Sequence, residues 1–257
     1  MVLIYQIYMA TITNPFVFYL LFFCSISLFI VGLYCFRIKR LIENTPTSKI
    51  RSIAMGFVEI YGKAIPYNKN ILKTPFTQQD CVYYRYSIQE LRTSGKNNYW
   101  HTIKTEQKKQ MFLLKDETGQ VLINPENAHM NIKKNNLFES SLGKDPPENV
   151  KYFLNSNNIS YEGFLFGINK TMRYIEHFIA VGDKLYIMGT ATDNPYVEEA
   201  TSDYGIEDVM IQKGNHNKFF FISDKHERGI LSLYTKAVYA CFIIGLILMS
   251  LGLLVIN

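Results

Sequence analysis

The sequence predicts a membrane protein built as a mainly-β domain, antiparallel and barrel-like, flanked by two transmembrane α-helices. Three observations carry this. Met1 to Phe36 contains no charged residue, and neither does Ala237 to Asn257, so all 27 Lys and Arg and all 22 Asp and Glu fall between Arg37 and Lys236. Both uncharged ends contain a continuous apolar run. Between them, apolar residues recur mainly with period two, as half-buried strands do.

A helix needs about 20 apolar residues to cross a hydrocarbon core of about 30 Å. Residues 15–36 supply the first such segment, and the second lies within 224–256, where Ala237 to Ile256 is wholly apolar or small. Neither run has the polar side expected of a helix on the surface of a soluble protein. A cleaved signal peptide would open on basic residues, and Met1 to Asn14 has none. The short apolar stretch Met1 to Met9 is expected at the membrane interface.

The domain between them is assigned to residues 37–223. Gly56 to Ala64 and Cys81 to Leu91 alternate as strands; in the second, Val82, Tyr84, Tyr86 and Ile88 fall on one face and Cys81, Tyr83, Arg85 and Ser87 on the other. Met111 to Lys115 and Gln120 to Asn124 flank the turn Asp116-Glu117-Thr118-Gly119, a hairpin signal. Further strands are expected at Ser160 to Gly167, Met172 to Ala180, Lys184 to Thr192 and Phe219 to Ile222, with Val181-Gly182-Asp183 as a turn. Pro146-Pro147 opens a short helix ending near Asn155, since proline suits a first helical turn. Residues 133–145 and 194–205 read as polar connectors. Ser223-Asp224 with Glu227 resembles a capping box, so the last helix is expected to start there and run unbroken to about Ile256.

Charge at the flanks sets the expected orientation. Arg37, Lys39, Arg40, Lys49 and Arg51 follow the first apolar run, Lys225, Arg228 and Lys236 precede the second, and the outer flanks carry no Lys or Arg. Basic residues near the ends of spans stay on the cytoplasmic side. The domain is therefore expected in the cytoplasm with both termini outside, at the plasma membrane if the chain is prokaryotic. Three of the four cysteines lie in the spans, leaving Cys81 alone in the domain. An intradomain disulfide is excluded, in keeping with a reducing compartment. The net charge of +5 suits anionic lipid, and no basic cluster interleaved with aromatics points to nucleic acid.

Five segments in order resemble the GIDE, or beside-a-membrane, family: MGFVEIYGKAIP at 55–66, TPFTQQDCVYYRYSIQE at 74–90, FLLKDETGQVLINPENA at 112–128, RYIEHFIAVGDKLYIMGTA at 173–191 and FFFISDKHE at 219–227. The family-motif residues singled out are Cys81, Tyr83, Tyr84, Arg85, Tyr86, Gly119, Gly182, Asp183 and Gly189. The resemblance implies two flanking spans, a membrane-side scaffold or sensing role, and a relation to mitochondrial ubiquitin ligases. Those ligases carry a zinc-binding RING module after the second span. A RING takes eight Cys and His ligands in paired spacings, whereas this sequence has no CxxC and its five His are scattered. Ligase chemistry is therefore not carried over.

Candidate chemistry is sparse. Cys81 with Arg85 on the same strand face would suit a reactive thiolate, against a small buried residue at a strand start. Glu176, His177 and Asp183 would suit acid–base work, against a strand–turn–strand whose charges pair with Arg173 and Lys184. Trp100-His101 would stack a ligand, or form a rim. Tyr83, Tyr84, Arg85 and Tyr86 would bind an extended peptide or a lipid headgroup, or form an internal network. Gly182 and Gly189 serve a turn and close packing. The expected function is a non-enzymatic membrane-tethered scaffold whose partners are the bilayer and another protein, with no metal and no cofactor. The alternatives are an enzyme using Cys81 or the Glu176 group, and a ligase-related protein acting with a RING on another chain.

Overall fold

The structure is a computed structural model that describes residues 15–133, 136–163, 169–196, 206–215, 219–225 and 227–256. In chain order the elements are α1 (Pro15–Asn44), β1 (Thr47–Ser48), a 3-10 turn (Ile50–Ser52), β2 (Gly56–Pro66), β3 (Leu72–Lys73), β4 (Asp80–Ser94), β5 (Asn97–Lys109), β6 (Phe112–Lys115), β7 (Gln120–Ile123), β8 (His129–Asn131) and β9 (Asn136–Ser140). They continue with α2 (Glu148–Ser156), β10 (Met172–Ala180), β11 (Lys184–Asp193), β12 (Ile206–Gln212), β13 (Phe221–Ser223) and α3 (Glu227–Ile256). The chain divides into a helical unit, Met1–Thr45 with His226–Asn257, and a β unit, Pro46–Lys225.

In the helical unit, α1 and α3 pack along each other in antiparallel fashion. Gly32 faces Phe242, Gly245 faces Phe29, and Gly252 faces Leu21 and Phe18, so partners descend on one helix as they rise on the other. Buried Ser25 and Gly32 lie seven residues apart, as do Val238, Gly245 and Gly252. A seven-residue repeat keeps one seam facing its neighbour over several turns, and small residues let two apolar helices approach closely. The Ser25 hydroxyl donates to the Gly245 carbonyl at 2.8 Å across this seam. Large side chains such as Phe16, Phe23, Ile30, Leu246 and Leu254 are exposed elsewhere on the pair. Both helices are long and apolar enough to cross a membrane. The first continues eight residues beyond the apolar run, with Ile38 and Ile42 buried and a Lys39–Glu43 pair at i,i+4.

The β unit is a small barrel with a second sheet. Strands β2, β6, β7, β12 and β11 pair in that order, and β11 pairs back onto β2, closing the ring. Inward residues alternate with outward ones: Val58, Ile60 and Ala64 of β2 meet Leu185 and Ile187 of β11, Leu114 of β6 and Val121 and Ile123 of β7 in one buried core. This is the barrel-like architecture the alternation implies. The second sheet runs β3-β4-β10-β9, with β5 paired to β4. Its own core gathers Phe76, Tyr86, Ile88, Tyr174 and Phe178 against Val150 and Leu154 of α2.

Several elements differ from the sequence reading. β5 spans 13 residues and β9 falls within the stretch read as a polar connector. The strand expected at 160–167 is represented by a lone bridge between Glu162 and Asn169, and residues 164–168 lie outside those described, as do Met1 to Met9. The last helix starts at Glu227 because Ser223 still belongs to β13, where it pairs with Tyr186. Its hydroxyl is held by the Asn131 carbonyl at 3.1 Å, and the Asp224 carboxylate accepts the Lys133 amide. Gly229 does not interrupt α3.

Candidate functional site

A bulge in β4 decides where its side chains point. Tyr83 pairs with Ile179 and Cys81 with Ala180, so Val82 is the extra residue. An extra residue inverts the alternation on one side of it. Cys81 consequently joins Tyr84 and Tyr86 in the second core, while Val82 and Tyr83 enter the barrel core. Arg85 points to the other face, exposed, and does not share a face with Cys81 as its position in the sequence suggested. Burial, with the nearby Glu176 and Asp80 charges, pushes the Cys81 thiol up to about 12. A reactive cysteine requires the opposite shift.

Glu176, His177 and Asp183 are not brought together. Glu176 is fully buried on the Cys81 face, where its carboxylate accepts the Phe76 amide at 2.8 Å and the Thr77 hydroxyl at 2.7 Å. His177, next along β10, points to the opposite face, with Nδ1 3.2 Å from the Ile132 carbonyl. Asp183 caps its own turn by accepting the Ala180 amide at 2.8 Å, and Gly182 supplies the left-handed φ of 92° that the turn needs. Arg173 does not pair with this group; its guanidinium lies 4.2 Å above the Trp100 ring and bonds Gln89. Every one of these carboxylates thus serves local structure.

The tyrosines are divided between the two cores, Tyr83 in the barrel and Tyr84 with Tyr86 in the second. Tyr86 donates to Glu106 at 2.7 Å, and its ring meets Phe76 and Phe153 edge-on. Tyr83 and Tyr84 are buried. Gly189 is a close-packing position, because a Cβ there would lie 2.8 Å from Ile211 and Phe220 side-chain atoms. The turn before Gly119 is held by Asp116, which accepts the Thr118 and Gly119 amides, rather than by a left-handed glycine.

What remains open is the β4–β5 ribbon. β5 pairs with β4 from Asn97 to Lys109, and no described strand lies on its other edge. Nearly all of its residues are exposed, Tyr99 by 47% and Ile103 by 38%, and His101 with them. Backbone groups along such an edge are available to another extended chain. Among the described residues, no three His, Cys, Asp or Glu side chains are grouped to hold a metal ion.

A closed β barrel with a second sheet, carried on one chain with two long apolar helices, defines the class of protein. The chain belongs to the GIDE family, whose model, described as an E3 ubiquitin ligase, matches residues 82–256. That match starts in β4 and runs through α3, so the resemblance at 55–66 lies ahead of it. No curated protein and no solved structure matches.

Proposed function

We propose that the protein is a membrane-held interaction module in which the β4–β5 ribbon receives an extended segment of another protein. The observation that carries this reading is the edge of β5: 13 residues, ten of them exposed, with one side unpaired among the described strands. Strand addition to such an edge gives affinity through main-chain hydrogen bonds and specificity through alternate side chains. The two apolar helices span the bilayer. The basic flanks support a cytoplasmic β unit with both termini outside, an arrangement that suits an antiparallel pair.

The family's description favours a particular partner class. In this second reading the module works beside a ubiquitin ligase whose zinc-binding module sits on another chain. Both readings are tested by placing a photo-crosslinking amino acid at Tyr99, Ile103 or Gln107 in native membranes and identifying what is captured. Tyr152 and Leu142, exposed by 78% and 73%, are the control positions. Capture specific to β5 supports strand addition, and a ligase component among the captured proteins supports the second reading. Equal capture at control and β5 positions, or none from β5, overturns the β5 assignment.

A further inference from the structure

The register of the barrel sets three lysines side by side on the face opposite its core. Lys184 of β11 lies directly across from Lys63 of β2, and Lys63 directly across from Lys115 of β6. Residues paired in this way project from one face with Cβ atoms about 4.5–5.5 Å apart, and like charges so placed destabilise the sheet. All three are exposed, and none has an ion pair or hydrogen bond among the described residues.

The row borders an open concavity of about 510 Å³. Two acids also line it, and both are committed elsewhere. Asp116 accepts the Ile50, Thr118 and Gly119 amides and the Thr118 hydroxyl. Glu117 pairs with Lys49. Asp116 keeps its negative charge and the Glu117–Lys49 pair is neutral overall, so the walls offset only part of the positive charge of the row.

The backbone beneath is fixed. Gly62 lies so close to β6 that a Cβ there would sit 2.6 Å from the Lys115 carbonyl oxygen. The turn before Lys184 is bonded to β2 on both sides of its tip, Gly182 amide to Ala64 carbonyl at 2.8 Å and Ala64 amide to Asp183 carbonyl at 2.9 Å. The three lysine stems thus leave rigid, adjacent positions.

We infer that this concavity binds a phosphate-bearing anion of at least two negative charges, held by the ammonium groups of Lys63, Lys115 and Lys184. Three point charges around one hollow suit a multiply charged group with oxygens in several directions. A planar carboxylate is better matched by the fork of an arginine, and none lines the hollow. The volume is that of a small-ligand site, enough for a diphosphate or a glycerophosphate headgroup. The anion's source is either a soluble phosphate compound or a lipid headgroup.

The experiment uses the full chain in phosphatidylcholine nanodiscs. Thermal unfolding is followed with inorganic pyrophosphate against chloride at matched ionic strength, and separately in nanodiscs with and without phosphatidic acid. The variants are Lys63→Gln/Lys115→Gln/Lys184→Gln, the same three positions changed to Arg, and Lys144→Gln, exposed and outside both the hollow and β5, as a surface control. The parent, the arginine variant and Lys144→Gln should gain stability from one probe. The glutamine variant should be at least as stable as the parent without anion and gain nothing from it, with pyrophosphate affinity down at least tenfold where pyrophosphate is the responding probe. A response to pyrophosphate alone identifies a soluble compound, and a response to phosphatidic acid alone identifies a headgroup. No response of the parent to either probe, or an equal response in a folded glutamine variant, overturns the site. None of these readouts involves β5, so the strand-addition reading stands or falls separately.

Discussion

The buried carboxylate of Glu176 accepts the backbone amide of Phe76 at 2.8 Å, joining positions a hundred residues apart in sequence. Its second oxygen takes the Thr77 hydroxyl. Phe76 is thereby held edge-on to Tyr86, Phe153 and Tyr174 at the centre of the second core. Glu176→Ala leaves a buried amide without an acceptor, and that alone costs about 1–3 kcal/mol. Denaturant unfolding should show a loss of that size or larger. Glu176→Gln keeps one acceptor and should lose less; an alanine variant as stable as the parent would remove the role given to this contact.

Two glycines of neighbouring strands should respond differently to the same methyl group. At Gly62 the added carbon meets the Lys115 carbonyl, a backbone atom in a paired strand. At Gly189 it meets the side chains of Ile211 and Phe220, which can turn. Overpacking typically costs about 1–3 kcal/mol. Gly62→Ala should sit at or above the top of that range and Gly189→Ala nearer the bottom, measured by thermal melts of the two variants. The reverse order would mean that β6 yields more readily than the core behind β11.

Asp116 gives the β unit an acid-sensitive point. Partial burial raises its carboxyl, but the Ile50 amide, the Thr118 hydroxyl and amide, and the Gly119 amide outweigh it and hold the carboxyl below the usual range. A folded-state value below the unfolded one contributes stability that is present above the unfolded value and lost as pH falls through the folded one. Stability of the parent should therefore drop on acidification below about pH 4, the ordinary aspartate range. Asp116→Asn should be less stable at neutral pH and show a flatter acid limb. Parallel pH profiles for the two proteins would count against the linkage.

Much of the barrel was legible because one face of each strand is buried. β2 shows apolar alternation, as do β4 and β10 of the second sheet, whereas β6 and β7 are apolar and buried in continuous runs and were marked by the turn between them, and β12 was not read as a strand. β5 was not, because it has exposed residues on both faces and so carries no period-two apolar signal. The facing of Cys81 was hidden by the Val82 bulge, which one strand's sequence does not announce. The lysine row was hidden for a related reason: Lys63, Lys115 and Lys184 are far apart in sequence, and only cross-strand register joins them.

Cys81 should behave as a packed, inert thiol. Its value near 12 lies above the ordinary thiol, so any stability linked to it is present below the unfolded-state value, near 8.5, and lost as pH rises toward 12. Iodoacetamide at pH 8 should leave Cys81 unlabelled in the native protein and modify it after denaturation, read by peptide mass spectrometry. Cys81→Ala should cost about 1–2 kcal/mol. Rapid native labelling would restore the thiolate reading.

The helical unit depends on Gly32 in a way it does not depend on Gly252. A Cβ at Gly32 would lie 3.0 Å from Phe242 Cε1 and 3.2 Å from Cys241 Cβ, whereas at Gly252 the nearest atoms are at 3.6 Å, ordinary contact. In lipid no hydrophobic force drives two apolar helices together, so close packing of the seam carries the association. Gly32→Leu removes that closeness two turns along α1 from the Ser25–Gly245 hydrogen bond. Gly252→Ala, by contrast, adds a methyl that fits and raises helix propensity by about 1 kcal/mol. Spin labels at the exposed positions Ile30 and Ile244 report the separation of α1 and α3 by pulsed electron resonance. The distance distribution should broaden and lengthen in Gly32→Leu and stay as in the parent in Gly252→Ala. An unchanged distance in Gly32→Leu would show that the pair is held by something other than its small-residue seam.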